Sequence, residues 1–123
     1  MQILDAETVR QRLNYPDLIT ALAEMVRLKR DGVAHAPQRA VLSLGNDANL
    51  LLMPATDEQY TITKFVTVHP HNHHHLLPSV AADVLILDTQ TGQRLAFADG
   101  ETITGMRTAA LSALAWRTLA PHN

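Results

Sequence analysis

The residues best able to do chemistry in this chain are a run of histidines and three scattered cations. HPHNHHHLLP, residues 69–78, holds five of the seven histidines. Zinc takes three or four ligands, with nitrogen at about 2.0–2.1 Å. In an extended chain His71, His73 and His75 would share a side, as a chelate requires. No cysteine exists to complete the set, and no carboxylate stands beside it in the sequence. Pro70, Asn72 and Pro78 are turn formers, which favours an exposed loop between strands where His71, His73, His74 and His75 are merely tolerated polar residues. The expectation is a loop with no resident metal and no assigned role for these histidines.

The cations carry more information, because they stand where solubility does not call for them. Arg39 falls in QRAVLSL, whose period of two reads as a strand, with Ala40, Leu42 and Leu44 on one face and Arg39, Val41 and Ser43 on the other. Lys64 falls in TITKFVTV, where it shares a face with Ile62, Val66 and Val68, opposite Thr61, Thr63, Phe65 and Thr67. Arg107 is read in the opening turn of a final helix whose start is marked by Thr102 or Thr104 and whose end is marked by Pro121. A helix start favours anions through its unpaired N–H groups and its dipole, so Arg107 with Thr104 and Thr108 would make a carboxylate or phosphate clamp. The competing reading has Arg39 and Lys64 reaching to a sheet rim and Arg107 pairing with Asp99 or Glu101. Spacing alone leaves both open.

The elements that must position these residues follow from pattern. Asp5 caps a short helix in DAETVRQRL, and Pro16 opens a longer one in which Leu18, Ile19, Leu22, Met25 and Val26 recur at helical spacing before Arg27, Lys29, Arg30 and a terminating Gly32. GND turns QRAVLSL into ANLLLMPA, and TQTG turns SVAADVLILD into QRLAFAD, giving two hairpins. The apolar run VLILD predicts a strand covered on both faces. Together the pattern is α+β: N-terminal helices, a mostly antiparallel or mixed sheet of about six strands, and a C-terminal helix.

Composition bounds the function. The 123 residues, 46% hydrophobic, suffice for one domain spanning 1–123 and are short for two. A formal charge of -2 argues against nucleic-acid and membrane partners. The N-terminus MQILDAETVRQRL has no leader character, no run approaches the roughly 20 apolar residues of a span, and no cysteine is present, so a cytoplasmic location is expected.

The combined string resembles the ornithine cyclodeaminase/mu-crystallin family. Lys64, Val66, Pro70 with Asn72, Leu77-Pro78, Asp88 to Thr91-Gly92, Asp99-Gly100, and Thr104 through Arg107-Thr108-Ala109-Ala110 match its pattern, and PQRAVL and NLLLMPA upstream also fit. The resemblance implies an NAD(P)-dependent enzyme of amino and cyclic imino acids, with a substrate-binding and dimerisation domain followed by a Rossmann domain. It implies that Arg39, Lys64 and Arg107 hold a substrate carboxylate, that Met53 lines the pocket and that Thr108 faces the cofactor. Lys64 is also implied in proton transfer, which suits a lysine whose pKa is lowered by two arginines on an apolar face.

Two departures qualify the match. The five glycines form no G-x-G-x-x-G after a strand, and the chain stops at LAPHN, where the family enters its first Rossmann strand. The expectation is a fragment of a two-domain, homodimeric enzyme, whose NAD or NADP is bound mainly by the missing domain and which is inactive alone. The second departure is HNHHH before Leu-Pro. The activity implied is reduction of a pyrroline-2-carboxylate-type ketimine; the alternatives are cyclising deamination of ornithine to proline, or a non-catalytic dimeric ligand-binding module.

Overall fold

Three short polar side chains start the three helices. In the computed structural model, which describes residues 1–121, Asp5 accepts a hydrogen bond from Thr8 N at 2.8 Å and opens α1 (Ala6–Arg12). Asn14 accepts from Asp17 N at 2.9 Å and opens α2 (Tyr15–Arg30). Asp99 accepts from Thr102 N at 2.8 Å and opens α3 (Gly100–Leu119). Each bond satisfies one of the N–H groups that a helix start leaves without a partner. Pro16 takes the second position of α2 rather than the first, where its missing N–H is equally harmless. Of the apolar residues at helical spacing in α2, Ile19 is buried while Met25 and Val26 are exposed.

The sheet has six strands: β1 (Gln2–Leu4), β2 (Ala40–Gly45), β3 (Ala48–Thr56), β4 (Tyr60–Val68), β5 (Val80–Asp88) and β6 (Arg94–Asp99). Their order is β1-β6-β5-β4-β3-β2, antiparallel throughout except where β1 runs parallel to β6. The α+β architecture and both hairpins agree with the sequence reading. β1 does not appear in that reading, because three residues before a helix cap are too few to alternate. The β2–β3 turn uses Gly45, Asn46 and Asp47 at φ of 84°, 51° and 63°, residue types that tolerate the left-handed region. The β5–β6 turn is closed by Asp88, whose carboxylate accepts from both N and Oγ1 of Thr91 at 2.8 Å. Those bonds hold the Asp88 pKa below its ordinary value, the side-chain bond most of all.

All three helices lie on one side of the sheet. One row of paired residues crosses five strands as Leu4, Ala98, Val84, Lys64 and Met53, and these share a face. Thr104 of α3 bonds Lys64 on that face, α2 reaches Ala55 and Ile62 on it, and α1 packs on α3. The buried strand residues Ala82, Val84, Ala96 and Ala98 belong to it too, with Ala98 only 1% exposed. The opposite face carries Leu50, Leu52, Phe65, Leu85, Leu87 and Phe97, all partly exposed, and ends at Ile3, which is 68% exposed. The expectation that VLILD is covered on both faces is therefore corrected. Only its Val84 and Ile86 side meets helices, and Leu85 and Leu87 look out from the other.

α3 begins earlier than the sequence reading had it. Asp99 caps at the end of β6, ahead of Thr102 and Thr104, so Arg107 lies about two turns into the helix and not in its opening turn. The helix-dipole argument for an anion at Arg107 falls with that correction, since the dipole acts within the first turn. What fixes the start is Gly100, where a Cβ would lie 2.8 Å from the carbonyl carbon and 2.9 Å from the oxygen of Ala82, and 2.9 Å from the Asp83 nitrogen. No side chain fits there without moving backbone.

This contrast generates a stability test. Gly100→Ala should destabilise by about 1–3 kcal/mol through overpacking. Gly105→Ala, whose Cβ meets open space within the same helix, should stabilise by about 0.5–1 kcal/mol. Denaturant midpoints of the two variants moving in the same direction would refute the close-approach reading.

Candidate functional site

The candidate site grows from the middle of β4. Alternation puts Lys64 on the helix-covered face between Ile62 and Val66, and register puts it between Met53 of β3 and Val84 of β5. A lysine in that row loses part of its hydration, and burial lowers its pKa from the ordinary 10.5, with the charge of Arg107 adding to the effect. Its ammonium donates to Thr104 Oγ1 at 3.3 Å. Among the described residues it makes no ion pair with a carboxylate.

Arg107 and Thr108 stand on the same stripe of α3 as Thr104, three and four residues on. Both are exposed, and Arg107 is near enough for its charge to act on Lys64. Among the described residues Arg107 pairs with neither Asp99 nor Glu101, and the Thr108 hydroxyl makes no hydrogen bond. The surface-pairing alternative for Arg107 is thus absent here.

Arg39 does not lie within a strand, as the period-two pattern had suggested. It immediately precedes β2, in an exposed segment. Ala40 pairs with Leu52, so continuing that register one step sets Arg39 beside Met53 at the edge of the Lys64 row. Met53 itself pairs with Lys64 and is partly buried. The structure therefore gathers Met53, Lys64, Thr104 and Arg107 on one side of the sheet and sets Arg39 at the end of the same row. The Thr104 bond to Lys64 was not foreseen; the spacing of Thr104, Arg107 and Thr108 was the available signal. Three cations without carboxylate partners among the described residues, over an apolar floor, are suited to hold an anion.

The histidines fall elsewhere. Residues Asn72–His75 form one turn of 3₁₀ helix rather than an extended chain, which removes the alternation that would have aligned His71, His73 and His75. Asn72 Nδ2 donates to Pro78 O at 2.9 Å, the His73 ring bonds Pro70 O at 3.1 Å, and His71 approaches Asp47 at 3.5 Å. Among the described residues no three histidine, aspartate or glutamate side chains converge as metal ligands would. His122 lies outside the described residues.

With this geometry in place, comparison with known proteins gives consistent results. The profile of the ornithine cyclodeaminase/mu-crystallin family matches residues 1–123. Delta(1)-pyrroline-2-carboxylate reductase 1 of Burkholderia multivorans is 36% identical over 112 residues, 91% of this chain and 36% of that protein. The solved structure of Thermococcus litoralis Delta(1)-pyrroline-2-carboxylate reductase in complex with NADH and L-proline aligns at a TM-score of 0.86 and 29% identity, over 98% of this chain and 38% of that one. An archaeal alanine dehydrogenase dimer with bound NAD aligns at 0.89 and 31% identity, again over 98% and 38%. The chain spans under two fifths of the length of each of these three proteins. On the match of the whole sequence, the chain belongs to the ornithine cyclodeaminase/mu-crystallin family.

Proposed function

We propose that the chain is the substrate-binding and dimerisation part, residues 1–123, of an NAD(P)-dependent reductase of cyclic imino acids of the pyrroline-2-carboxylate type, cytoplasmic and homodimeric. The observation that carries the reading is Lys64: a lysine on a helix-covered apolar row, within reach of the Arg107 charge, with only a threonine as partner among the described residues. In this reading Arg39, Lys64 and Arg107 hold the carboxylate of the imino acid and Met53 lines the floor beneath it. Fixing the carboxylate fixes the adjacent C=N carbon, so the clamp orients the reacting face and takes up the rotational freedom of the substrate before reaction. Lys64 Nζ has a second part, exchanging a proton with the substrate nitrogen, which its lowered pKa favours.

The dinucleotide is assigned mainly to the additional length that the relatives have. NAD or NADP, when bound, supplies the hydride. From this chain Thr108 fits as one contact: its hydroxyl is exposed, without a hydrogen bond among the described residues, and one helical turn from Thr104.

A second reading, that the chain works as a dimeric ligand-binding module, is favoured by the uncovered sheet face. Leu52, Phe65, Leu85 and Phe97 present large apolar groups with no helix against them among the described residues. A second copy related by a two-fold axis would bury that face. Both readings need the face covered; they differ in whether the protein turns over NAD(P)H.

Three outcomes are expected. Calorimetric titration with pyrrole-2-carboxylate should show binding that Arg107→Ala weakens by about 1.5–3 kcal/mol, the range for a charged hydrogen bond; unchanged affinity would make Arg107 a surface residue. A carboxylate favours the charged lysine, so affinity should fall as pH rises through the lowered Lys64 pKa, below 10.5. Lys64→Arg, charged over the whole range, should flatten that fall, and an unchanged pH profile would remove Lys64 from the clamp. Sedimentation equilibrium should give a dimer that Phe65→Asp converts to monomer; a monomeric parent would sink the dimerisation part.

A further inference from the structure

A pocket of about 330 Å³ opens on the same side of the sheet as Lys64, two residue pairs further along the strands. Its floor is Ala55 of β3 and Ile62 of β4, which pair with each other and are the next pair on the face of Met53 and Lys64. Its walls are Met25 from α2 and Ala34 and Ala36 from the segment that leads to Arg39. The segment is tied down there, since His35 and Thr56 exchange both backbone hydrogen bonds at 2.8 Å.

The polar groups that the hairpin turn brings to the pocket are bonded within the turn, and the remaining polar side chains of the lining are those of Lys29 and His35. Asp57 accepts from Gln59 N and Tyr60 N at 2.8 and 2.7 Å, and the Tyr60 hydroxyl accepts from Gln59 Nε2 at 3.0 Å. What is left facing the space is mainly apolar, with Lys29 at the rim. A closed apolar cavity of about 150 Å³ already holds a benzene ring, and ligand pockets begin at about 300 Å³. The volume is therefore enough for an aryl or branched-alkyl group carried by a ring held at the neighbouring clamp, whose own residues do not line the pocket.

We infer that this pocket receives an apolar substituent of the ligand, so that the clamp and pocket together select imino acids bearing an aryl or branched-alkyl group. The inference rests on the carboxylate-clamp reading above. The placement suits it: Lys64 and Ile62 are alternate residues of one strand, their Cα atoms about 6.6 Å apart and their side chains on one face, so a ring held by its carboxylate at the clamp can direct a substituent along that face toward Ile62. Apolar contacts of this kind grade affinity by size, where the clamp alone would treat all these carboxylates alike.

The test compares 4-phenylpyrrole-2-carboxylate with pyrrole-2-carboxylate by calorimetry on the full chain. Burial of the phenyl group should make the substituted ligand bind at least about tenfold more tightly. Ala55→Phe, which fills the floor, and Met25→Trp, at a half-exposed helix position that tolerates size, should each bring the ratio of the two affinities to about one. A ratio near one in the parent protein overturns the inference and leaves the carboxylate clamp standing. A tenfold ratio that survives in the folded variants places the phenyl group elsewhere and also overturns it. Failure of both ligands to bind the parent overturns the clamp reading and the inference with it.

Discussion

How closely α3 can approach the sheet decides where the site's side chains sit. The approach is set at Gly100, where no Cβ fits against the Ala82 and Asp83 backbone, and is continued by the small buried residues Ala82, Ala96, Ala98 and Ala110. Only with the helix this low does the Thr104 hydroxyl come within 3.3 Å of the Lys64 ammonium. That bond is already long, and lifting the helix by a further half ångström would end it. Arg107 and Thr108 ride on the same stripe, so their positions depend on the same contact. A packing detail at the start of one helix thereby sets the geometry of a clamp that lies two turns away.

The two faces of the sheet divide their labour by size. The buried residues of β5 and β6 on the helix side are alanine and valine, which lets backbones come close, while the other side carries leucine and phenylalanine. Large groups beneath α3 would hold it off, and small groups on the far side would leave little to bury against a partner. The asymmetry fits a sheet that packs its own helices on one face and offers the other outward. Apolar area left in water forgoes about 25 cal/mol per Å², so the exposed face acts as a reserve of association energy that a single copy leaves unspent.

How much of this was legible in the sequence depends on the range of the interaction that decides each feature. Asp5, the two hairpins and the face that Lys64 shares with Ile62 and Val66 follow from local rules: a cap, a turn, an alternation of two, whereas the pairing of Met53 with Lys64 is a register that only the folded sheet shows. Arg107 was misplaced within its helix because Asp99, Thr102 and Thr104 are all acceptable caps, and what chooses Asp99 is the fit of Gly100 to a strand distant in sequence. Arg39 was read into a strand because alternation does not reveal where hydrogen bonding begins. The double coverage of VLILD was misread for a similar reason, since a run of large apolar residues reports burial demand without saying whether the same chain meets it. The histidine run was legible as a turn from Pro70, Asn72 and Pro78, although its 3₁₀ geometry, closed by the Asn72 bond to Pro78 O, leaves no mark in periodicity. The parallel strand β1 left no pattern at all.

The site is built against the stability of the fold. A lysine whose pKa is lowered on folding binds its proton less well in the native than in the unfolded chain, so it opposes folding at every pH below its lowered pKa. That cost fades as pH rises toward the ordinary value. At position 64, between Ile62 and Val66 on a helix-covered row, an aliphatic residue would carry no such cost. Arg107 beside it adds like-charge repulsion that no carboxylate of the described chain relieves. An anion bound between them offsets both terms at once, and by mass action it stabilises the native state in proportion to its occupancy. In the proposed clamp the same two charges that cost the native chain stability would attract a carboxylate ligand, so part of that cost would reappear as affinity.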